Sequence, residues 1–491
     1  MQWSDVSAIL PEIILAFGAC CVLLVETFLK KDKTAVIAIA ISALLASAVV
    51  ALGMAGQTRA VFGNMIVLNY YAVFFKVLFA VAGAITILMS PRYLEAGGRH
   101  IGEYYALLLL AIVGMNVMAA SRDLIAFYVG LELMAVCSYL LAGFFRYRLR
   151  SNESALKYFL TGAFASAFTL YGISLLYGLT GATNYAAVAE MLTARAALGS
   201  ATNDMGVAFA TVLVVVGLGF KVSIAPFHMW TPDVYQGAPT PVAAFFSVGP
   251  KAAGFSGILI IFATIFTASR GTWSTLFIVL SILTMFVGSI LAIAQKNVKR
   301  MLAYSSITHV GYLTAGLAAL GKGEGYLPGQ AILFYLAAYT VMNLGAFGIL
   351  AYLKTQQPDT FDYSLGKMAG LGRRSPWAAV LMSLFMFSLT GIPGTAGFIG
   401  KFFLFNSVVR ANLTWLAVIA VILSAVSAFY YLRVVIYMFF REPEEDFAIK
   451  EPINGIMAAA LSLSAAGVLL IGIFPTTIWD WALKAFQNFF G

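Results

Sequence analysis

Apolar segments of about 20 residues recur along almost the whole chain, and this recurrence constrains the fold more than any other feature. A segment of that length crosses a bilayer as an α-helix, because a helix pairs its own backbone N–H and C=O groups. Hydrophobic residues make up 61% of the 491 residues and charged residues only 10%. So few charges cannot cover the surface of a soluble domain of this size. The sequence therefore predicts an all-α polytopic membrane protein.

We predict about 14 transmembrane helices, called spans 1 to 14 in chain order. Their expected bounds are 7–29, 34–54, 68–90, 103–119, 123–144, 157–179, 207–226, 240–266, 274–294, 301–319, 329–353, 376–409, 412–440 and 455–474. The first span has no basic region before it and no small-residue cleavage site after it, so we interpret it as retained rather than as a signal peptide.

The basic residues of the loops indicate the orientation. Loops on one side of the predicted membrane hold eighteen Lys and Arg residues, whereas loops on the other side hold seven. Because Lys and Arg collect in cytoplasmic loops, we expect both termini on the periplasmic side, and the net charge of +9 has the same cause. The loop at 229–238 is the exception, since it contains no basic residue. Asp233 in this loop is expected to cap the following helix.

A small set of charges remains inside the predicted spans. The basic members are Lys76, Lys221, Lys251, Lys401 and Arg433, and the clearest acid is Glu132. Lys76 and Arg433 lie about two turns from a span end, so we expect them to reach the interface as anchors. A charge at the centre of a bilayer costs roughly 2.5–3.5 kcal/mol. The other lysines and Glu132 therefore indicate a function, and a buried lysine near a movable acid can bind and release a proton.

Helix breaks accompany these lysines. Lys221 precedes Pro226, Lys251 directly follows Pro250, and Lys401 follows the segment Gly-Ile-Pro-Gly at 391–394. Interrupted helices at corresponding places in two halves of a chain are typical of ion sites in transporters. Lys221 and Lys401 are 180 residues apart, and each follows a Gly-Phe pair.

This spacing predicts two five-helix repeats, spans 4–8 and 9–13, with helices 7 and 12 broken. An odd number of crossings makes the second repeat inverted relative to the first. The predicted organisation is residues 1–100 for spans 1 to 3, 101–270 and 271–442 for the two repeats, and 443–491 for span 14.

Metal and nucleotide sites are not expected. The chain has three cysteines and three histidines, without a CxxC pair or a Cys/His cluster, so we expect no zinc site or iron–sulfur cluster. The glycines at 321–325 lack the strand and helix that a dinucleotide site needs. His228 and His309 are as compatible with satisfied hydrogen bonds as with proton conduction.

Four segments resemble a known family. They are 221–253, with KVSIAPFHMWTPDVYQGAPTP at its start, 153–166, 304–312 and 389–402. Together they resemble the antiporter-like membrane subunits of the proton-pumping NADH–quinone oxidoreductase, respiratory complex I, from about span 4 to span 13. Among these, subunit N is favoured by the run DVYQGAPTP and by Lys401, where the M-type subunits have glutamate. Only a short tail is expected after span 14, unlike the long lateral helix of subunit L.

The resemblance implies a proton-translocating membrane-arm subunit that couples NADH-to-quinone electron transfer elsewhere in the complex to proton transport. It implies that Glu132 pairs with Lys221, that Lys251 is the central relay group, and that Lys401 is the terminal one. The supporting positions that it implies are Lys157, His228, Tyr304 and His309.

The same resemblance implies what surrounds the chain. NADH, FMN, iron–sulfur clusters and quinone would be bound by other subunits, and this chain would carry no cofactor and no redox chemistry. Its partners would be the adjacent membrane-arm subunits and lipid, without nucleic acid, in the inner membrane of a bacterial cell.

Two other functions remain open from the sequence. One is a subunit of a multi-subunit cation/proton antiporter or membrane hydrogenase built on the same module, which sodium-dependent transport would favour. The other is a structural membrane spacer that conducts nothing. A dry, fully hydrogen-bonded region from Glu132 through Lys251 to Lys401 would favour the spacer.

Overall fold

The computed structural model describes residues 3–29, 33–197, 205–322, 325–358, 360–443 and 452–490, which are almost entirely helical. The helices are α1 (Trp3–Ala8), α2 (Leu10–Phe28), α3 (Thr34–Gly53), α4 (Tyr70–Met89), α5 (Pro91–Ala96), α6 (Glu103–Ala120), α7 (Leu124–Ala142), α8 (Leu149–Thr180), α9 (Tyr185–Ala197), α10 (Met205–Val222), α11 (Trp230–Gly237), α12 (Thr240–Thr264), α13 (Arg270–Ile293), α14 (Val298–Lys322), α15 (Leu327–Gln356), α16 (Leu365–Met368), α17 (Leu371–Arg374), α18 (Pro376–Thr390), α19 (Ala396–Arg410), α20 (Thr414–Phe440), α21 (Gly455–Ile473) and α22 (Thr476–Phe490). A 3₁₀ turn, Thr267–Ser269, leads into α13. One antiparallel hairpin, β1 (Arg59–Val61) and β2 (Ile66–Leu68), precedes α4.

Within these ranges, twelve helices are long and apolar enough to cross a membrane. Each corresponds to one of the predicted spans. The two other predicted spans correspond to α14 and to the pair α18 and α19, which segment 391–395 separates. The all-α polytopic fold is thus confirmed, and the helices are consistent with about fourteen crossings.

The centre of the molecule is formed by α12 and α15. In the most apolar part of α12 all residues are buried, and in the most apolar part of α15 94% of the residues are buried. They pack against each other, and α12 also contacts α4, α6 and α10. Helices that are apolar all round belong in such a central position. Lys251 therefore lies on the most enclosed helix of the described chain.

One prediction around the spans was wrong. The expected loop at 229–238 forms helix α11, and Asp233 lies inside this helix rather than capping the next one. Pro232 is compatible with this position, because proline is tolerated in the first turn of a helix. The short tail after span 14 contains the fifteen-residue helix α22.

Helix α22 is amphipathic and lies against α4 and α15. Its buried stripe consists of Ala482, Ala485, Phe486 and Phe489. The ring of Phe486 occupies the space that a side chain at Gly329 would need. Arg122 donates a hydrogen bond to the carbonyl of Phe489 at 2.9 Å and holds the end of the helix. This spacing of three and four residues is the helical pattern, but the segment is too short to cross a bilayer.

The same backbone bonds occur in both halves of the chain. The N–H of Leu124 donates to the carbonyl of Thr183 at 2.9 Å, and the N–H of Val298 donates to that of Tyr363 at 2.8 Å. In a second matching pair, the N–H of Tyr185 donates to the carbonyl of Arg122 and the N–H of Leu365 donates to that of Lys296, both at 2.9 Å. The residues correspond with offsets of 174 and 180 positions. Two five-helix repeats would produce this recurrence, and the boundaries at 101, 271 and 443 stay a prediction.

Close helix packing also recurs with the same offset. A Cβ atom at Gly114 would lie 2.6 Å from the backbone nitrogen of Met134. A Cβ atom at Gly288 would lie 2.6 Å from the backbone nitrogen of Thr308. Gly288 and Thr308 each lie 174 positions after Gly114 and Met134. Only glycine allows α6 to approach α7, and α13 to approach α14, this closely.

We predict that Gly114→Ala and Gly288→Ala each lower the stability of the purified protein. The added methyl group forces two packed helices apart, which costs about 1–3 kcal/mol. Thermal unfolding in detergent, followed by tryptophan fluorescence, measures the effect. Gly178→Ala on α8 is the matched control, because a Cβ atom there meets nothing within 4 Å. Midpoints for the two variants equal to the control would contradict the prediction.

Candidate functional site

The first helix break lies between α10 and α11, directly after Lys221. The indole N–H of Trp230 donates to the carbonyl of Phe220 at 2.9 Å, across the break. The N–H of Ala225 donates to the hydroxyl of Thr284 at 2.9 Å. Backbone groups released by a break at membrane depth need such partners. The break is therefore supported by the surrounding protein.

Lys221 is buried at this break. Its Nζ donates to the hydroxyl of Tyr139 at 3.2 Å and lies 5.5 Å from the centre of that ring. Glu132 lies two turns before Tyr139 on α7, and its carboxylate accepts a hydrogen bond from Ser166. In the described chain no direct ion pair joins Glu132 and Lys221, although they interact electrostatically. The expected pairing is thus indirect, and Tyr139 interacts with both groups.

Lys251 is buried on α12, which continues as a helix through Pro250. Its Nζ donates to the hydroxyl of Ser306 on α14 at 2.5 Å. A Cβ atom at Gly254 would lie 3.9 Å from the Cβ atom of Lys221. Because Gly254 is one turn beyond Lys251, the two lysines lie on touching helices at similar depth.

Lys401 is buried beside the second break. Its Nζ donates to the carbonyls of Leu389 and Thr390 at 2.9 and 2.8 Å and to the hydroxyl of Ser424 at 2.9 Å. These bonds occupy all three N–H groups and cap the end of α18. Gly391 has a φ of 95°, and a Cβ atom there would lie 3.1 Å from the Lys401 side chain. Glycine is required at this turn on both grounds.

His309 lies between the central and terminal lysines. Its Nδ1 is 2.6 Å from the hydroxyl of Tyr335, and its Nε2 is 3.0 Å from that of Tyr431. The ring interacts electrostatically with both Lys251 and Lys401. Both imidazole nitrogens are therefore in hydrogen bonds with tyrosine hydroxyls.

Several buried polar atoms near this line make no well-aligned hydrogen bond to the described protein atoms. They are the hydroxyls of Tyr235, Tyr312, Tyr339 and Tyr430, the side-chain oxygen of Asn343 and Nδ1 of His228. Buried polar atoms without a protein partner normally bind ordered water. Polar side chains lie near each of the four tyrosine hydroxyls, so ordered water would share these hydroxyls with protein groups.

The remaining residues implied by the resemblance lie around this line. His228 lies in the first break and interacts electrostatically with Lys251. Tyr304 lies under the guanidinium of Arg300, whose Cζ is 5.9 Å from its ring centre. Lys157 is 45% exposed and forms ion pairs with Glu153 and Asp233 at 2.7 and 2.9 Å. Within the described residues, Lys157 and Tyr304 make no direct contact with the buried lysines.

Two basic residues do not lie where the sequence indicates. Lys299, counted as a loop residue, is buried, and its Nζ donates to the carbonyl of Ala238 at 2.6 Å. Lys76 is not an interfacial anchor, since it is 2% exposed and pairs with Glu12 at 2.8 Å. Arg433 is partly exposed and donates to the carbonyls of Ile293 and Gln295 at the loop end of α13, which is compatible with the expected anchor. Hydropathy cannot reveal such partners, because they come from other helices.

Comparison with known proteins gives a consistent result. The family described as "NADH:quinone oxidoreductase/Mrp antiporter, TM" matches residues 121–427. NADH-quinone oxidoreductase subunit N of Trichlorobacter lovleyi is 43% identical over 488 residues, which cover 99% of this chain and 97% of that relative. Subunit N 2 of Rhizobium meliloti is 42% identical over 494 residues, covering 100% and 98%.

A solved structure agrees with these relatives. A chain of respiratory complex I from Thermus thermophilus with bound aureothin superposes with a TM-score of 0.79 and 33% identity. The match covers 96% of this chain and 99% of that chain. The fold and the buried charges thus define a multi-pass membrane protein of the antiporter-like class. The chain belongs to the family of NADH-quinone oxidoreductase subunit N.

We predict that Trp230→Phe destabilises the protein by about 0.5–1.5 kcal/mol, because the buried carbonyl of Phe220 loses one of its two donors and keeps only the N–H of Ser223. A phenylalanine ring preserves much of the stacking on Tyr158, whose ring centre is 4.4 Å away. Thermal unfolding measures the change. Trp415→Phe is the control, since Trp415 is 51% exposed. Equal midpoints for both variants would show that the break does not depend on this bond.

Proposed function

We propose that this chain is the membrane-arm subunit of complex I that moves protons along the line Glu132, Lys221, Lys251 and Lys401. Electron transfer from NADH to quinone in other subunits would drive it. The observation that carries the proposal is the set of three buried lysines, two of them beside helix breaks. Lys221 and Lys251 lie on touching helices, and buried tyrosine hydroxyls without a well-aligned protein partner lie near the three lysines. Burial of so many charges is too costly to persist without a function.

The three ammonium groups differ in their hydrogen-bond partners. Lys401 has three acceptors among the described atoms, whereas Lys221 and Lys251 each have one. A buried ammonium needs acceptors to replace the water that it has lost. Positive charge is therefore best accommodated at Lys401, and the direction from Lys221 to Lys401 is favourable once the charge leaves the first site.

Glu132 would control the first site. Its negative charge attracts the ammonium of Lys221 through the space that Tyr139 partly fills. When the carboxylate is neutralised or drawn away, this attraction is lost and the proton moves to Lys251. A tenfold change in proton occupancy needs only about 1.4 kcal/mol, which a modest displacement of charge supplies.

His309 would connect the second and third lysines. A neutral imidazole accepts a proton at one nitrogen and releases one from the other. Its two hydroxyl partners, Tyr335 and Tyr431, are placed at opposite nitrogens, as this exchange requires. Water at the unsatisfied hydroxyls would complete the path.

We infer the surroundings of the chain from its family. It would assemble with adjacent membrane-arm subunits in a bacterial inner membrane, with both termini on the periplasmic side. NADH, FMN, iron–sulfur clusters and quinone would belong to other subunits, so the chain itself would be the translocating part without redox chemistry. A cation/proton antiporter subunit on the same module is the alternative, and sodium-dependent transport would support it.

We predict that Lys221→Ala and Glu132→Ala each lower the pumping-linked turnover of the assembled complex on the order of tenfold, about 1.4 kcal/mol. Proteoliposomes with a pH-sensitive dye measure proton transport during NADH oxidation. Lys484→Ala on the exposed face of α22 is the control and should behave as the unmodified complex. Full activity in both relay variants would refute the assignment.

A further inference from the structure

A second buried ion pair lies outside the line of lysines. Glu12 in the first turn of α2 and Lys76 on α4 are 2.8 Å apart, and both are buried. The second carboxylate oxygen of Glu12 is buried and makes no hydrogen bond to the described protein atoms. A carboxylate in this state needs a further partner, and ordered water is the usual one.

Asn116 on α6 provides an independent observation. Its side chain is 0% exposed, and both its oxygen and its nitrogen lack a hydrogen-bond partner among the described atoms. An amide left unpaired in this way costs about 1–3 kcal/mol. It is therefore expected to bind water on both sides.

Helix contacts place these groups at one depth. The hydroxyl of Tyr71 donates to the carbonyl of Ser256 at 2.9 Å, so α4 and α12 meet there. Lys76 is five residues beyond Tyr71, and Lys251 is five residues before Ser256. Because spans 3 and 8 run in opposite directions, the two lysines lie at about the same level.

Close helix contacts also show the depth of Asn116 and Glu12 relative to Lys251. A Cβ atom at Gly249 would lie 3.3 Å from the sulfur of Met115, which puts Asn116 level with the residue before Lys251. A Cβ atom at Gly18 would lie 3.7 Å from Leu109, which puts Glu12 level with Met115. Helix α6 packs against α2, α4 and α12, so Asn116 lies on the helix that contacts all three others.

A small apolar cluster lies near the pair, on the side of the molecule that carries the N-terminus. It consists of Ala8, Val61, Leu68 and Val73, with Val77 and Trp481 packed against it. Val73 and Val77 flank Lys76 on α4. The pair thus lies near this face, close to side chains of the hairpin, α1 and α22.

We propose that Glu12 and Lys76 form a further proton-binding site, connected to Lys251 through Asn116 and ordered water. The proposal rests on the proposed function. A proton leaves the ammonium of Lys251 and neutralises the carboxylate of Glu12, while Lys76 keeps its charge. The net charge of the three groups is the same before and after, and the path branches toward the face that carries the N-terminus.

A purely structural role predicts a different outcome. Replacing both members of a buried ion pair with neutral groups of similar shape is often neutral or stabilising. Glu12→Gln with Lys76→Met should therefore preserve the fold in either case. Asn116→Leu keeps the volume and removes two unpaired polar atoms, so it should keep or raise the stability.

The test uses the assembled complex in proteoliposomes and records protons pumped per NADH oxidised, together with the thermal midpoint. The double variant and Asn116→Leu should lose the same fraction of this ratio, because each interrupts the same path. The matched control is Glu26→Gln with Lys33→Met, another ion pair near the N-terminus, and it should leave the ratio unchanged.

An unchanged ratio in Asn116→Leu, with Lys251→Ala impaired, would overturn this inference and leave the proposed function standing. An unimpaired Lys251→Ala would instead contradict the proposed function. If the double variant does not assemble, Asn116→Leu and Glu12→Gln decide by the same criterion.

Discussion

Hydrogen bonding of buried ammonium groups is the interaction on which the rest of this structure depends. An ammonium group at membrane depth has lost water and needs acceptors from the protein. At Lys401 the acceptors are the last carbonyls of α18, which are free because the helix ends at Gly391. The helix break and the buried charge therefore support each other. Neither would be stable alone in a bilayer.

At the first break, the lysine and the backbone groups also form hydrogen bonds, but with different partners. Lys221 lies in the last turn of α10, but its Nζ binds the hydroxyl of Tyr139 rather than the carbonyls that the break releases. The carbonyl of Phe220 bonds to Trp230, and the N–H of Ala225 bonds to Thr284. The first lysine thus has fewer hydrogen-bond partners than the last, and in the proposed function this difference favours proton movement from Lys221 to Lys401.

The sequence predicted most of this arrangement, for physical reasons. Span bounds follow from apolar length, and the breaks follow from proline and glycine beside lysine, so Lys221 and Lys401 could be located without a structure. Lys251 does not lie at a helix break, because α12 continues through Pro250. The partner groups could not be predicted, since Glu12 and Lys76 are 64 positions apart and meet only through helix packing. Helix α22 was missed because an amphipathic segment of fifteen residues does not stand out by hydropathy.

The central claim is that a hydrated path joins Lys221, Lys251 and Lys401. A cryo-electron microscopy map of the assembled complex, at a resolution that shows ordered water, tests it most directly. The account predicts water density within hydrogen-bond distance of the Tyr235, Tyr339, Tyr312 and Tyr430 hydroxyls, continuous from one lysine to the next. A dry region in which these hydroxyls bond only to protein atoms would contradict it.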